Sequence, residues 1–254
     1  EIIRPTGQVS LQTQVNSKVT FGAYYQFEWE ETRLPASGSY LSAADYLGEG
    51  AERLFVGPGL AFFNGGDIEA SDQGQGGMQL RLRPGDGEWD FGLYLTHYHE
   101  KTPTFYFLPG ANVDLATGKV GEFKQVYAED ITAVGASFST VFGDINVAGE
   151  ASGRFNQPMV SDPQIDALFT ADNDDNELFA RGKSVHAQIS AIGFLGKSAL
   201  WDGGNWLAEV AWHRRVDVTK NRAAIDPATD RSALAFRGVF TMDYYQVLPN
   251  LDLS

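Results

Sequence analysis

Ten ionisable side chains fall at alternate positions along segments whose intervening residues are mostly apolar. Residues two apart in an extended strand point to the same side of a sheet, so these side chains would share one surface. In a membrane barrel that surface would line an aqueous interior, where charged groups set the preference of a pore. The same charges could instead pair across neighbouring strands and stabilise the wall. The predicted lining residues are Arg81, Arg83, Glu150, Arg154, His186, Glu209, His213, Arg215, Arg237 and Asp243.

Two other groups of residues could bind a cation. The acidic run at residues 172–177, DNDDNE, offers oxygen ligands of the kind that hard cations prefer, and outside the cell such an ion could be shared with lipopolysaccharide. The run lacks the glycine and the ligand spacing of an EF-hand loop, and a hydrated loop is the alternative. His97 and His99 lie two apart and could bind a metal or mark the aqueous end of a strand. We predict neither a metal site nor a cofactor.

The composition excludes several classes of protein. No serine or aspartate lies in a nucleophile elbow or comparable motif, so we predict no enzyme, although an outer-membrane hydrolase is an alternative. The chain has no cysteine, which removes disulfides and thiolate metal sites. Its formal charge of -14 would repel nucleic acid. No apolar run approaches the roughly 18 residues of a spanning helix, which excludes a helical membrane protein.

The elements that must hold these residues are strands with two different surroundings. Residues 18–29, KVTFGAYYQFEW, alternate between apolar and polar side chains and end in aromatic residues, as is typical where a strand leaves a bilayer. We predict that the five tryptophans, Trp29, Trp89, Trp201, Trp206 and Trp212, are interface anchors. The residues predicted to face lipid are Phe21, Tyr25, Phe27, Trp29, Phe91, Leu93, Phe138, Trp206, Trp212 and Phe240.

Short and long connections alternate along the chain. Tight turns are predicted at residues 16–17, 84–87, 143–144 and 248–250, and a somewhat longer link at residues 196–204. Long connections are predicted at residues 31–73, 102–129, 157–180 and 219–231. Outer-membrane barrels have this rhythm, whereas soluble sandwiches mix loop lengths more freely. We therefore predict an all-β, antiparallel transmembrane β-barrel with long extracellular loops. Residues 1–254 would be one domain, and residues 31–73 a folded plug or lid.

The rhythm also gives an expectation for the two ends of the chain. Single-chain bacterial barrels normally have both chain ends in the periplasm. If the turn at residues 16–17 is periplasmic, both ends of this chain would instead point outward. About nine strands and the start of a tenth would not close well in that orientation. We therefore expect the chain to be the middle portion of a larger barrel.

Three stretches resemble a known family. They are residues 25–57 (YQFEWEETRLPASGSYLSAADYLGEGAERLFVG), residues 180–221 (ARGKSVHAQISAIGFLGKSALWDGGNWLAEVAWHRRVDVTKN) and residues 244–254 (YYQVLPNLDLS). They are similar to the uncharacterised proteobacterial family catalogued as domain of unknown function thirteen-oh-two. The resemblance implies a barrel in the outer membrane of a Gram-negative bacterium. It also implies a periplasmic lipid-carrier-like partner, an inner-membrane transporter of the resistance-nodulation-division class, and traffic of hydrophobic or lipid-like molecules.

Together these observations predict passage or export of hydrophobic or amphipathic molecules through a barrel in contact with outer-membrane lipid and lipopolysaccharide. A structural or docking barrel that conducts nothing is the first alternative.

Overall fold

The computed structural model describes residues 4–42, 44–85, 88–248 and 251–253. Strands account for nearly all of its regular structure, and the one helical segment within these ranges is a 3-10 turn at Arg222–Ala224. Nowhere in these ranges is there a helix of the length and apolarity needed to cross a membrane.

The described residues form fifteen strands. In chain order these are β1 (Gln8–Asn16), β2 (Val19–Gln26), β3 (Arg53–Gly57), β4 (Leu60–Ile68), β5 (Gly76–Leu82), β6 (Trp89–Tyr98), β7 (Thr104–Asp114), β8 (Lys119–Val126), β9 (Ile131–Phe142), β10 (Ile145–Pro158), β11 (Gln164–Ile165), β12 (Arg181–Phe194), β13 (Gly203–Lys220), β14 (Ser232–Leu248) and β15 (Leu251–Leu253).

Ten of these strands form one antiparallel sheet, which we call the large sheet. Its order is β1-β2-β5-β6-β9-β10-β12-β13-β14-β15, so each strand pairs with the strand of this sheet that follows it in the chain. Nine long strands and a three-residue tenth agree with the strand count predicted from the alternation. The all-β, antiparallel architecture is confirmed. β1 and β15 are its two edges, and no ladder joins them in the described ranges.

The other five strands form a second sheet, in the order β11-β7-β8-β4-β3. They come from three of the predicted long connections, and residues 102–129 and 157–180, for which no strand was predicted, contain β7, β8 and β11. The alternation was not visible because the strands are short or irregular. The pairing of β7 with β8 shifts between Pro109 and Asp114, and the pairing of β4 with β8 shifts twice. For residues 31–73, the predicted folded segment contains β3 and β4.

All long connections leave the large sheet at the same end. That end carries residues 27–75, 99–130, 159–180 and 221–231, whereas the other end carries the short links at residues 17–18, 143–144 and 195–202. The tight turns at Ser17 and Gly143 are where the sequence predicted them. Of the other predicted turn residues, Asp86, Gly87, Pro249 and Asn250 lie outside the described residues.

The hydrophobic core belongs to the second sheet and its flanking segments. One cluster consists of Tyr106, Leu108, Val126, Ala128 and Phe179, and the other of Trp29, Ala70 and Tyr127. Large apolar side chains of the large sheet are instead exposed. Phe236 and Phe240 in β14 are 73% and 64% exposed. The second sheet and its flanking segments therefore bury a core of large apolar side chains, whereas the large sheet leaves many of its own exposed.

Candidate functional site

Strand pairing places the predicted lining residues on one side of the large sheet. Directly opposed residues of antiparallel strands point to the same side, and one row of opposed residues crosses seven strands. It runs through Arg81, Gly92, Ser137, Glu150, Gln188, Ala211 and Ala235. By the same pairing Arg154, His186, Glu209, His213, Arg215, Arg237 and Asp243 lie on this side, which we call the polar face. Arg83 directly follows β5 and reaches Asp90 of the same face.

The opposite side of the large sheet, the apolar face, carries most of the residues predicted to face lipid. A parallel row runs through Phe21, Leu80, Leu93, Ala136, Ala151, Ala187, Trp212 and Leu234. Tyr25, Phe91, Phe138, Trp206 and Phe240 lie on the same face. Phe27 lies just beyond β2 and is exposed.

Trp29 does not belong to this face, and its prediction is wrong. β2 ends at Gln26, so the alternation does not extend to Trp29, which is only 7% exposed. Its ring contacts that of Tyr127 with centroids 4.8 Å apart, and its indole N–H donates to the carbonyl of Glu100 at 3.3 Å. Trp29 is therefore a core residue beside the second sheet.

Aromatic residues lie toward both ends of the apolar face. At the short-link end Trp89 stacks on Phe91 with ring centroids 5.7 Å apart, and Phe138 and Phe142 lie against the same indole. Toward the other end Trp212 donates from its indole N–H to the hydroxyl of Ser232 at 2.9 Å. Smaller aliphatic residues such as Ala136 and Ala151 lie between.

Charged side chains of the polar face form ion pairs in the β5–β6 hairpin, and those farther along the sheet do not pair in the described ranges. Asp90 accepts from Arg81 at 2.9 Å and from Arg83 at 2.7 Å, as the wall-stabilising interpretation requires. Glu209 and Arg237 are directly opposed but form no ion pair with each other in the part of the chain that the structure describes. Within the described ranges the same holds for Glu150, Arg154, Arg215 and Asp243. The wall-stabilising interpretation therefore accounts for the β5–β6 hairpin only.

His186 and His213 lie at the centre of the polar face of β12 and β13. Their rings are stacked with centroids 5.9 Å apart. The Nε2 atom of His186 is 2.9 Å from the hydroxyl of Ser184, which itself donates to Oε1 of Gln157 at 2.5 Å. Because the Ser184 proton is directed to Gln157, His186 donates to the Ser184 oxygen in this arrangement. This is not the geometry of an activated serine nucleophile.

His99 has a structural role, and the interpretation that it marks an aqueous strand end is wrong. It is buried, its Nδ1 accepts from the backbone N–H of Asp130 at 3.1 Å, and its Nε2 lies 2.8 Å from the carbonyl of Gln73. The first bond fixes the tautomer, so Nε2 carries the proton. His99, Glu129 and Asp130 bring ligand atoms within 4.8 Å of one another, but both ring nitrogens are already engaged.

Arg181, the first residue of β12, forms a buried hub between the large sheet and the second sheet. Its guanidinium donates to the carbonyls of Glu129 (2.6 Å), Asn156 (3.0 Å) and Asn173 (2.6 Å). Oε1 of Glu177 lies 2.6 Å from its Nε, although the N–H is not directed at that oxygen. The side chain is 1% exposed. Three separate chain segments, around Glu129, around Asn156 and at residues 173–177, therefore converge on one cation.

The acidic run contributes two residues to this hub. Asn173 is buried and its amide donates to the carbonyls of Glu69 and Tyr127, both at 2.9 Å. The buried carboxylate of Glu177 contacts Arg181 and the ammonium of Lys220. The hydrated-loop interpretation is therefore wrong for these two residues, whereas Asp174 and Asp175 are exposed.

Tyr127 connects the hub to residues 31–73. Its hydroxyl donates to the carboxylate of Glu31. Burial, followed by this hydrogen bond to the carboxylate, raises the pKa of the Tyr127 hydroxyl above its usual range, so it remains a donor. Sequence reasoning missed Tyr127 and Arg181, and it treated Asn173 only as part of the acidic run, because the partners of these residues are far apart in the chain and no local spacing brings them together.

The comparisons with known proteins agree with the resemblance of the three stretches. No curated protein and no solved structure matches this chain. A family model described as "Protein of unknown function (DUF1302)" matches residues 1–254. The match covers the whole sequence, and the resemblance is confirmed. The chain therefore belongs to DUF1302, a protein family of unknown function.

Proposed function

We propose that the large sheet is part of the wall of a transmembrane β-barrel in a Gram-negative outer membrane, and that this barrel passes hydrophobic or amphipathic molecules. The observation that carries the proposal is the uncovered apolar face. Leu234, Phe236 and Phe240 of β14 are 74%, 73% and 64% exposed, and Leu93 in β6 is 49% exposed. Hydrocarbon would cover this face in a membrane.

The energetic argument is the transfer of these side chains out of water. Fully burying one large apolar side chain is worth about 1.5–3 kcal/mol. Uncovered apolar patches larger than a few hundred Å² are rare on soluble monomers and mark interaction surfaces. Because the apolar face continues across at least eight paired strands, a bilayer is a better cover than a small partner.

Strand lengths and aromatic positions support the same proposal. A spanning strand needs roughly 9–11 residues. β9, β10 and β12 have 12, 14 and 14, whereas β2 and β5 have 8 and 7. Aromatic residues lie near both ends of the apolar face, as in the girdles of outer-membrane barrels. Since β1 and β15 are unpaired edges in the described ranges, a closed wall would include further strands.

The second sheet supports the assignment of residues 31–73 as a lid. β3 and β4 lie in this segment, and β4 pairs with β8, so the segment is part of a folded unit at the long-connection end. We propose that this end faces outward, in contact with lipopolysaccharide. The short-link end would then face a periplasmic lipid-carrier-like partner and the inner-membrane transporter.

The experiment is a permeability assay on the full chain reconstituted in vesicles and planar bilayers. Since the chain has no cysteine, one introduced thiol is labelled specifically. A bulky thiol reagent on Ala211→Cys, at the polar face, is expected to block dye efflux and channel current. The matched control is Ala208→Cys, three residues earlier on the apolar face, where the label leaves both unchanged.

Two results would contradict passage through this wall. If the inserted, unlabelled protein gives neither dye efflux nor channel current, the docking barrel that conducts nothing would be favoured. Equal block at Ala211→Cys and Ala208→Cys would show that the polar face does not line the route. Deletion of residues 31–73 is the weaker test, because it removes β3 and β4 from the second sheet.

A further inference from the structure

Two cavities lie along the polar face of β10, β12, β13 and β14, and a third lies beside the end of β13 and the connection at residues 221–231. The first, about 300 Å³, and the second, about 200 Å³, share His186 and His213 in their walls. The second and the third, about 350 Å³, share Arg215 and Arg231. Because neighbouring cavities share wall residues, we treat the three as one groove, which runs from the middle of the large sheet toward the long-connection end and which we call the basic groove.

The ionisable groups of the basic groove are predominantly basic. Arg154, Arg215, His186 and His213 line its first two cavities, and none of them forms an ion pair with a carboxylate in the described ranges. The carboxylates in these two walls are Glu150 and Asp230. In the third cavity Asp217 is already paired with Arg222 at 3.2 Å. A chain with a net charge of -14 thus places two arginines, Arg154 and Arg215, here without a carboxylate partner in the described ranges.

The basic groove also has space lined by apolar side chains beside these arginines. Ala211, Ala233 and Ala235 leave space in the first cavity because their side chains are short. Pro158, Met159 and Val160 line the second cavity. A ligand that fits both features has a compact anionic head and an apolar tail.

We propose that the basic groove binds the anionic head group of an amphiphile, with a carboxylate or phosphate at Arg154 and His213 and the chain toward Met159. This inference rests on the proposed passage of amphipathic molecules and names the class of molecule. The guanidinium of Arg154 offers a planar pair of donors to such an oxyanion, and the ring N–H of His213 adds a third donor. In a partly desolvated groove, charge-assisted bonds of this kind are about twice as strong as neutral ones.

The test measures binding to the full chain folded in detergent, with radiolabelled palmitate as the probe. Methyl palmitate keeps the tail without the charge, and inorganic phosphate has the charge without the tail. The variant is Arg154→Gln/His213→Gln. Neither side chain makes a hydrogen bond or ion pair in the described ranges, so folding should survive, as a heat-modifiability gel checks. The matched control is Arg81→Gln, on the same face but paired with Asp90.

The expected result is palmitate binding that weakens at least about tenfold in Arg154→Gln/His213→Gln and changes less than about twofold in Arg81→Gln. Methyl palmitate and phosphate should each compete much more weakly. Equal binding of methyl palmitate would overturn the role of the anion, and equal competition by phosphate would overturn the role of the tail. An equal loss in Arg81→Gln would overturn the location. Palmitate binding without dye efflux would contradict the proposed passage and leave the proposed binding site standing. The two proposals can therefore be refuted independently.

Discussion

At the scale of single residues, Arg181 is notable because its charged side chain is almost completely buried. A buried guanidinium is costly unless its charge is balanced and its donors are bonded. The carbonyls of Glu129, Asn156 and Asn173 accept from its two terminal nitrogens, and the carboxylate of Glu177 balances its charge. Since these groups come from separate segments, one side chain holds the second sheet against the start of β12.

Replacing this hub residue should loosen the second sheet. Arg181→Leu leaves Glu177 with only the half-exposed Lys220 as a partner, and we expect a loss of about 3–5 kcal/mol in unfolding free energy. Urea titration followed by limited proteolysis in residues 99–130 measures it. Arg181→Leu/Glu177→Gln should recover part of the loss.

Arg222→Leu is the control for this prediction. Arg222 forms an exposed ion pair with Asp217, and such pairs contribute about 0–1 kcal/mol. If Arg181→Leu costs no more than Arg222→Leu, the hub is not what holds the second sheet.

The residue scale also shows what local pattern can and cannot predict. Phe91 and Arg154 are on the expected faces because a period of two fixes the side of every residue in a strand. Trp29 was misplaced because the strand ends three residues earlier, at Gln26, and nothing in the alternation marks that end. His99 and Arg181 are fixed by partners distant in sequence.

At the scale of elements, the wall strands were predictable and the strands of the second sheet were not. β9 has 12 residues and pairs with both of its neighbours without a register shift, so its alternation of polar and apolar residues is long enough to be recognised in the sequence. β3 has five residues, and β11 has two. Their pairing includes parallel ladders, β4 with β8 and β11 with β7, which join segments separated by long stretches of chain. Such pairings leave no local signal.

Adjacent residues of β14 give a matched test of the two faces. Phe236 lies on the apolar face and Ala235 on the polar face. Phe236→Arg should destabilise the protein folded into lipid vesicles by about 2–4 kcal/mol, because arginine would face hydrocarbon. Ala235→Arg places the same charge toward water and should cost less than about 1 kcal/mol. Urea titration in vesicles measures both, and equal costs would refute the two-face account.

At the scale of the whole molecule, burial is divided between two places. The clusters around Phe179 and Tyr127 give the second sheet a core of its own. The large sheet has polar residues on one side and uncovered apolar residues on the other. Such a sheet is stable only where each face meets its own solvent. On the proposed function, hydrocarbon covers the apolar face, water covers the polar face, and the second sheet lies beyond the hydrocarbon.

The most direct measurement is a spin-label scan of β14 in the protein reconstituted in lipid. Single cysteines at residues 233–240 would be labelled in turn, and collision rates measured with oxygen, which concentrates in hydrocarbon, and with a water-soluble nickel chelate. We predict a period of two in both rates with opposite phase, oxygen highest at residues 234, 236 and 240 and nickel highest at residues 233, 235 and 237. Rates without alternation, or labels at residues 234 and 236 that meet the nickel chelate more often than oxygen, would contradict the account.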